Sequence, residues 1–448
     1  MGKRLGDIVL CCSVFLPLLG RLFFPRVRDK AAISLSASFS DPQMLGIYVL
    51  LLYLIYRILC KPATLVRACV WPLWPLMTMV IVAVATSLTS SFPLFSLWRS
   101  IETATVLLWG TLVLGRVREE GTPTVFFTTF YVMSGLMLGS VLAALWLDPK
   151  NAWMVEETGV QRLSVQSSFV MMGAYLIGPI AALLSLAAFV RFVLSSRPQY
   201  LLVCGLLLWL AYASRSRTGF VVLVAGLLVC SLYLFRISGR STKTGLFLLG
   251  LTTLVAGIMA LNTDFTSALI HAFTRGQDEA NIVGLDGRVS IWSLAIKAFQ
   301  QSPILGSGYG TYPIWIGSSG HFHNMFIELM VTTGLAGLIP AFIILAGLLW
   351  SLLRLFCSTP PRSIARQILA LDALLMGTAA VLANQTTAGA AYYSWELIAL
   401  VLLLTALPVI LQPAKSRGRA AKNPVRRVER FIPMVPPGRS AAYWGSRL

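Results

Sequence analysis

Charge is scarce in this sequence. Of its 448 residues only 12% are Asp, Glu, Lys or Arg, about half the 25% usual in a soluble globular chain. That excludes an ordinary water-soluble domain. Histidine is scarcer still, with three residues, His271, His321 and His323. Cysteine occurs seven times, at Cys11, Cys12, Cys60, Cys69, Cys204, Cys230 and Cys357. None falls in a segment expected outside the membrane, so neither a disulfide framework nor a thiolate metal site is expected. Acidic residues number 17 against 36 basic ones, a formal charge of +19. In a membrane chain that excess belongs in cytoplasmic loops, where it fixes orientation, and no nucleic-acid partner is implied.

What is abundant is apolar: 57% of the chain is hydrophobic. Uncharged runs of about 18–22 residues recur, each long enough to cross a hydrocarbon core. They predict an all-α integral membrane protein with about twelve spans, near 7–24, 44–60, 70–88, 101–116, 124–147, 168–190, 199–214, 217–235, 245–262, 325–354, 367–385 and 394–412. The tenth is long enough to include a membrane-dipping start before the true span. The first lacks a small-x-small cleavage site before Arg26–Lys30 and reads as a retained helix. With both termini inside, roughly 24 of the 36 basic residues fall in cytoplasmic stretches. Arg26, Arg28 and Lys30 run against that pattern. Residues 1–412 then form the transmembrane domain. Residues 413–448, rich in Pro, Arg and Ala, read as a disordered basic tail able to sit on anionic lipid.

The external side carries one long segment, about 262–323. Its middle, "LDGRVSIWSLAIKAFQQSPILGSGYG", has a plan. Asp286 is placed to cap a helix. Trp292, Ala295, Ile296 and Phe299 recur at helical spacing and predict one apolar face. Pro303 and the glycines at 306, 308 and 310 then break the helix. The result is an amphipathic helix lying on the outer leaflet or capping a cavity.

Three groups of residues invite chemistry. "YASRSRTGF" puts Arg215 and Arg217 between two apolar runs on the outer side, against the positive-inside bias; either they serve a function or they snorkel to headgroups. Arg288 opens the amphipathic helix. Its planar fork suits phosphate oxygens, though a salt bridge to Asp286 or Asp278 would also explain it. His321 and His323 flank Phe322 at the mouth of an apolar segment. Three readings stay open: an H-x-H chelate with His271, a single neutral imidazole acting as general base, or no chemistry at all. His323, beside Asn324, is the better base.

"HNMFIELMVTTGLAG", a His-Asn pair followed by Gly-x-x-Gly, resembles the signature of the bacterial O-antigen ligase family. "SRSRTGF" looks like that superfamily's Ser-Arg-Thr turn. "GRVSIWSLAIKAFQQSPILGSGYG" looks like its large-loop block. The resemblance covers about 200–340, and it implies a metal-independent, cofactor-free glycosyltransferase of the GT-C type in the bacterial inner membrane, with its site facing the periplasm. By motif match Arg217 and Arg288 hold the pyrophosphate of an undecaprenyl-pyrophosphate-linked glycan, and His323 activates the acceptor hydroxyl for inverting attack. Arg215 is an extra charge, with Asn324 and His321 as supporting residues. Exopolysaccharide and O-antigen polymerases share these motifs. The acceptor is therefore either lipid A core or a second lipid-linked repeat unit, with polysaccharide assembly and export proteins as further partners. Many members carry a His-Pro-Asn element near the sixth span, where this chain has "QRLSVQSS". A transporter or flippase without chemistry is the alternative reading.

Overall fold

The computed structural model describes residues 2–23, 42–155, 161–168, 170–237, 288–311, 322–361, 363–386 and 394–411. Helices dominate: α1 (Gly2–Ser13), α2 (Leu16–Phe23), α3 (Pro42–Leu59), α4 (Trp74–Thr89), α5 (Pro93–Glu120), α6 (Thr124–Leu147), α7 (Ala174–Ser195), α8 (Gln199–Ala213), α9 (Arg217–Ile237), α10 (Arg288–Gln301), α11 (Met325–Cys357), α12 (Ile364–Thr386) and α13 (Trp395–Ile410). Two small antiparallel pairs lie between α6 and α7. The strands β1 (Trp153–Val155) and β2 (Gln161–Leu163) form one, and β3 (Val165–Gln166) and β4 (Met171–Met172) the other. "QRLSVQSS" thus forms β2 and β3, not a helix.

Five helices among the described residues are long and apolar enough to cross a membrane: Thr124–Leu147, Ala174–Ser195, Arg217–Ile237, Met325–Cys357 and Ile364–Asn384. A sixth arises if Leu45–Leu59 and Pro62–Cys69, bent by 105°, count as one span. Three shorter apolar helices, Trp74–Thr89, Gln199–Ala213 and Trp395–Ile410, add to the bundle. This is a predominantly helical, multi-pass membrane protein. The expected count of twelve is not reached by this measure, for definite reasons. Residues 245–262 lie outside the described residues. The first expected span is split into α1 and α2. The fourth is contained in α5, whose two ends carry ion pairs.

Sequence sets the helix limits locally. Pro93 opens α5, where a missing N–H costs nothing. Gly121, at φ 69°, closes it with its amide on Val117 O, a left-handed cap that suits glycine. Ser394 caps α13 by accepting from Leu397 N. Leu88, Trp146 and Leu202 are each more than three-quarters exposed. On a multi-pass bundle these large apolar surfaces meet lipid.

The two ends of the bundle can be told apart. A side chain at Gly347 would meet Trp71, and one at Gly308 would meet Ser90. Helix α4 therefore runs antiparallel to α11. Arg236, at the end of α9, donates to Phe356 O and Cys357 O at the end of α11. Helices α9 and α11 finish together, so their starts, Arg217 and Met325, share the other end. Arg67 and Arg116, with Asp7 and Glu119, lie at the finishing end. A buried clamp links the helices there: Arg191 of α7 makes two 2.9 Å bonds to Asp372 of α12, and its guanidinium stacks over Tyr131 of α6.

Candidate functional site

His323 and Asn324 form the threshold of α11. Asn324 is its N-cap, with Oδ1 accepting from Phe326 N at 2.9 Å and Ile327 N at 3.2 Å. Two of the amides left over at a helix start are thereby satisfied. His323 precedes the cap at φ 54°, in the left-handed region that non-glycine residues enter at a cost of about 1–2 kcal/mol. The residue is half-buried. Phe322 before it is buried, and its carbonyl takes the indole N–H of Trp292 at 2.8 Å. The turn is thus pinned from both sides.

Trp292 belongs to α10, which lies alongside the first part of α11. Ala295 packs with Phe322 and Val331, flanked by Ile291, Ala298 and Ile327. The buried face is therefore Ile291, Trp292, Ala295, Ala298 and Phe299. Ile296, expected on it, is about half exposed, as is Leu294. The correction is one of phase, since position 298 takes the place of 296. Arg288 is the first residue of α10, about one helical turn of 5.4 Å before Trp292. Asp286 and Asp278 lie outside the described residues.

The glycine-rich turn after α10 is built into α11. Gly334 sits inside that helix at φ 60°, ψ −158°, and is not helical. Leu335 N and Ala336 N, which in an unbroken helix would bind Val331 O and Thr332 O, bind Pro303 O at 2.9 Å and Ile304 O at 3.1 Å instead. The vacated carbonyls take Ser307 N at 2.9 Å and Gly308 N at 3.0 Å. Two helical hydrogen bonds are exchanged for four between segments. A Cβ at Gly306 would strike the backbone of Thr332 to Gly334, and one at Gly334 would strike Ile304 and Pro303 carbonyls. This explains both glycines. The expected tenth span is α11, and its part after Gly334 is by itself long enough to span.

The Ser-Arg-Ser-Arg turn joins α8 to α9. Arg215 has φ 46°. Ser214 Oγ accepts from Ser216 N at 3.3 Å, and Ser216 Oγ accepts from Gly219 N at 3.2 Å. Gly219 lies against the backbone of Gly178, and Gly178 against Ser214 and Ser216, so α7 and α9 approach closely here. The serines are architectural. The arginines are not explained that way. Arg217 is the first residue of α9, and no acidic residue lies in the first turn of either α9 or α10. An arginine there opposes the helix dipole.

Three described non-glycine residues have positive φ: Ser196, Arg215 and His323. Ser196 is the C-cap of α7, an ordinary place for this conformation. The other two lie in the Arg-rich and His-Asn motifs, at the same end of the bundle. His321 and His271 lie outside the described residues. Among the described residues no group of three His, Cys, Asp or Glu could hold a metal ion.

A buried polar cluster adjoins the turn, and sequence reading missed most of it. Arg99 of α5 binds both oxygens of Glu102, at 3.0 and 2.9 Å, and Trp98 Nε1 donates to Glu102 Oε1 at 2.9 Å. Gly310 leaves room for the Arg99 stem. Tyr309 is buried with its hydroxyl 2.8 Å from Thr103 Oγ1, and burial pushes that phenol well above its ordinary range. Glu328 is fully buried beside them. The i, i+3 spacing of Arg99 and Glu102 was a readable signal.

Comparison with known proteins addresses the same segments. A family model described as O-antigen ligase matches residues 202–342. That stretch, less than a third of the chain, is similar to the O-antigen ligase family. The matched stretch runs from α8 through both arginine-led helices and the clasped helix to Phe342. The chain is also similar to the exopolysaccharide production protein ExoQ of Rhizobium meliloti (strain 1021), 35% identical over 100 residues. That match covers 19% of this chain and 22% of the relative, so the chain spans about a fifth of the length of the relative it matches. Together these support the O-antigen ligase and polysaccharide polymerase superfamily for residues 202–342.

Proposed function

We propose that this protein transfers a glycan from a lipid pyrophosphate to an acceptor hydroxyl. What supports this most is the geometry within the matched stretch. His323 is held in a left-handed turn at the start of a helix clasped by the 302–308 segment. Arg217 begins a helix at the same end of the bundle, and Arg288 begins the helix that pins the turn.

In this reading Arg217 and Arg288 bind the pyrophosphate of an undecaprenyl-linked donor. Each guanidinium acts together with the amides of a helix start, a pairing suited to phosphate oxygens. Both stabilise charge as it develops on the leaving group. His323 takes the proton of the acceptor hydroxyl, and the acceptor oxygen attacks the anomeric carbon with inversion. Pyrophosphate is a good leaving group without metal assistance. The site faces the periplasm of the bacterial inner membrane, consistent with Arg67, Arg116 and Arg236 at the opposite end. The acceptor is either lipid A core or a second lipid-linked repeat unit, and the exopolysaccharide production relative favours the repeat unit.

The break in α11 is the observation that would favour a transporter, since broken helices line transport sites. Here, though, the freed backbone groups of Val331, Thr332, Leu335 and Ala336 are taken up by residues 303–308. They are not left facing a ligand.

Deletion followed by glycan analysis tests the reading. Loss of polymer with accumulation of short lipid-linked repeats supports a polymerase, and intact polymer that never reaches lipid A core supports a ligase. Unchanged glycans remove the transferase reading.

A further inference from the structure

The end of the bundle away from Arg217 holds two arginines that no described residue satisfies. Helix α3 runs alongside α5, with Tyr48 near its start packed on Trp98, 5.1 Å between ring centres. After α3 the chain bends by 105° into a short 3-10 helix, Pro62–Cys69. That helix therefore crosses the end of the bundle and lies along the membrane surface. Its inward face includes Thr64 and Ala68, both buried. Leu65 and Val66 turn outward and are exposed, as are Leu59 before the helix and Val70 after it. Apolar side chains in that plane sit at the boundary between headgroups and acyl chains.

Arg67 turns inward, onto α5. A Cβ at Gly115 would collide with its Nη1, so the glycine leaves a notch for the guanidinium. Positions 118 and 119 are i+3 and i+4 from 115, on the same face of α5. Arg67 is thus flanked by Arg118 and Glu119. The carboxyls at this end are engaged elsewhere. Arg116 takes Asp7 at 2.6 Å and Glu119 at 3.0 Å, with Glu120 at 3.9 Å. Glu119 reaches Arg67 only at 3.9 Å, too far for a hydrogen bond. Arg118 has no acidic partner among the described residues, and neither guanidinium makes a hydrogen bond to any of them. Each offers five N–H donors. Burial, and then the charge of Arg67, lower the pKa of Arg118, as expected for two cations brought together without a counter-ion.

We propose that Arg67 and Arg118 hold the phosphate of an anionic phospholipid, with Leu65, Val66 and Val70 against its acyl chains. The leaflet is the one at this end, the cytoplasmic one in the orientation proposed above. Two guanidinium forks at one place match phosphate oxygens. The exposed apolar side chains decide for a lipid over a soluble phosphate, because they need a hydrocarbon neighbour. Bound there, the lipid ties the connection between α3 and α4 to the end of α5. The site lies at the far end from Arg217, so the proposal rests on none of the catalytic assignments.

The test follows thermal unfolding of the full-length protein in detergent, with phosphatidylglycerol, phosphatidylcholine or inorganic phosphate added. A ligand that binds only the folded state raises the melting temperature. Phosphatidylglycerol is expected to raise it by about 2–4 °C, and each of the other two by about 1 °C or less. In the double variant Arg67→Gln, Arg118→Gln the rise should vanish. Arg118→Gln alone should lose about half of it or more, since one of two phosphate ligands is gone. Position 118 is exposed and has no described partner to lose, so this variant decides the matter where the double one does not fold. No rise with phosphatidylglycerol, or a full rise in Arg118→Gln, overturns the proposal. So does an equal rise with phosphatidylcholine, which marks general replacement of detergent by lipid. An equal rise with inorganic phosphate overturns it too, since that marks a soluble-anion site.

Discussion

The amide of Leu335 donates to the carbonyl of Pro303 at 2.9 Å, where a continuous α11 would have it donate to Val331. That one displaced hydrogen bond joins two segments about thirty residues apart. It holds α10, and with it the start of the helix led by Arg288, against the helix that begins after His323.

Breaking this clasp should disable the site from a distance. In Gly334→Ala the new Cβ meets the carbonyls of Pro303 and Ile304 at a positive φ, a cost of about 2 kcal/mol or more. The expected outcome is a lower melting temperature in detergent and a lost glycan product, although position 334 touches no reacting group. Gly121→Ala is the control, since its Cβ meets nothing within 4 Å and only the φ penalty applies.

The clamp at the other end should matter for stability and not for chemistry. Asp372→Ala leaves Arg191 buried without its partner, a change that costs about 3–5 kcal/mol for buried pairs. Replacing both residues with apolar ones, Arg191→Met with Asp372→Leu, should recover much of the loss. Thermal unfolding of the single and double variants checks this. Equal melting of the wild type and both variants would show the pair to be idle.

Arg217→Ala and Arg288→Ala should weaken use of the lipid-linked donor, each by about 1.5–3 kcal/mol in kcat/KM, the range for hydrogen bonds to charged groups. Lysine at either position should recover only part, because it lacks the planar fork. Donor titrations in liposomes measure the effect. Unchanged kcat/KM in both alanine variants ends the pyrophosphate role.

Transfer should persist in EDTA. Product formation before and after chelation, with zinc or magnesium added back, is the measurement. Loss restored by metal would favour the H-x-H chelate at His321 and His323.

Much of this was legible from composition and spacing. Uncharged runs announced a membrane bundle, and "HNMFIELMVTTGLAG" with "SRSRTGF" pointed to the O-antigen ligase family that residues 202–342 match. Helix α10 was placed correctly but one face position was not, because Ile296 and Ala298 fit a helical period almost equally well. The use of Gly334 and Gly306 was hidden, since each is required by a partner some thirty residues away. Glu328 was passed over as a single acid in a greasy run. Its burial near Arg99 and Tyr309 depends on segments that come together only in the fold.

The most direct measurement is the initial rate of glycan transfer by His323→Asn beside His323→Ala and the wild type, in liposomes with extracted lipid-linked donor. Asparagine tolerates the left-handed conformation that position 323 adopts, so it keeps the turn and removes the base. Both variants are predicted to insert normally and to lose about 10²–10⁴-fold in rate. A rate in His323→Asn within a few-fold of wild type would contradict the assignment of His323 as the base.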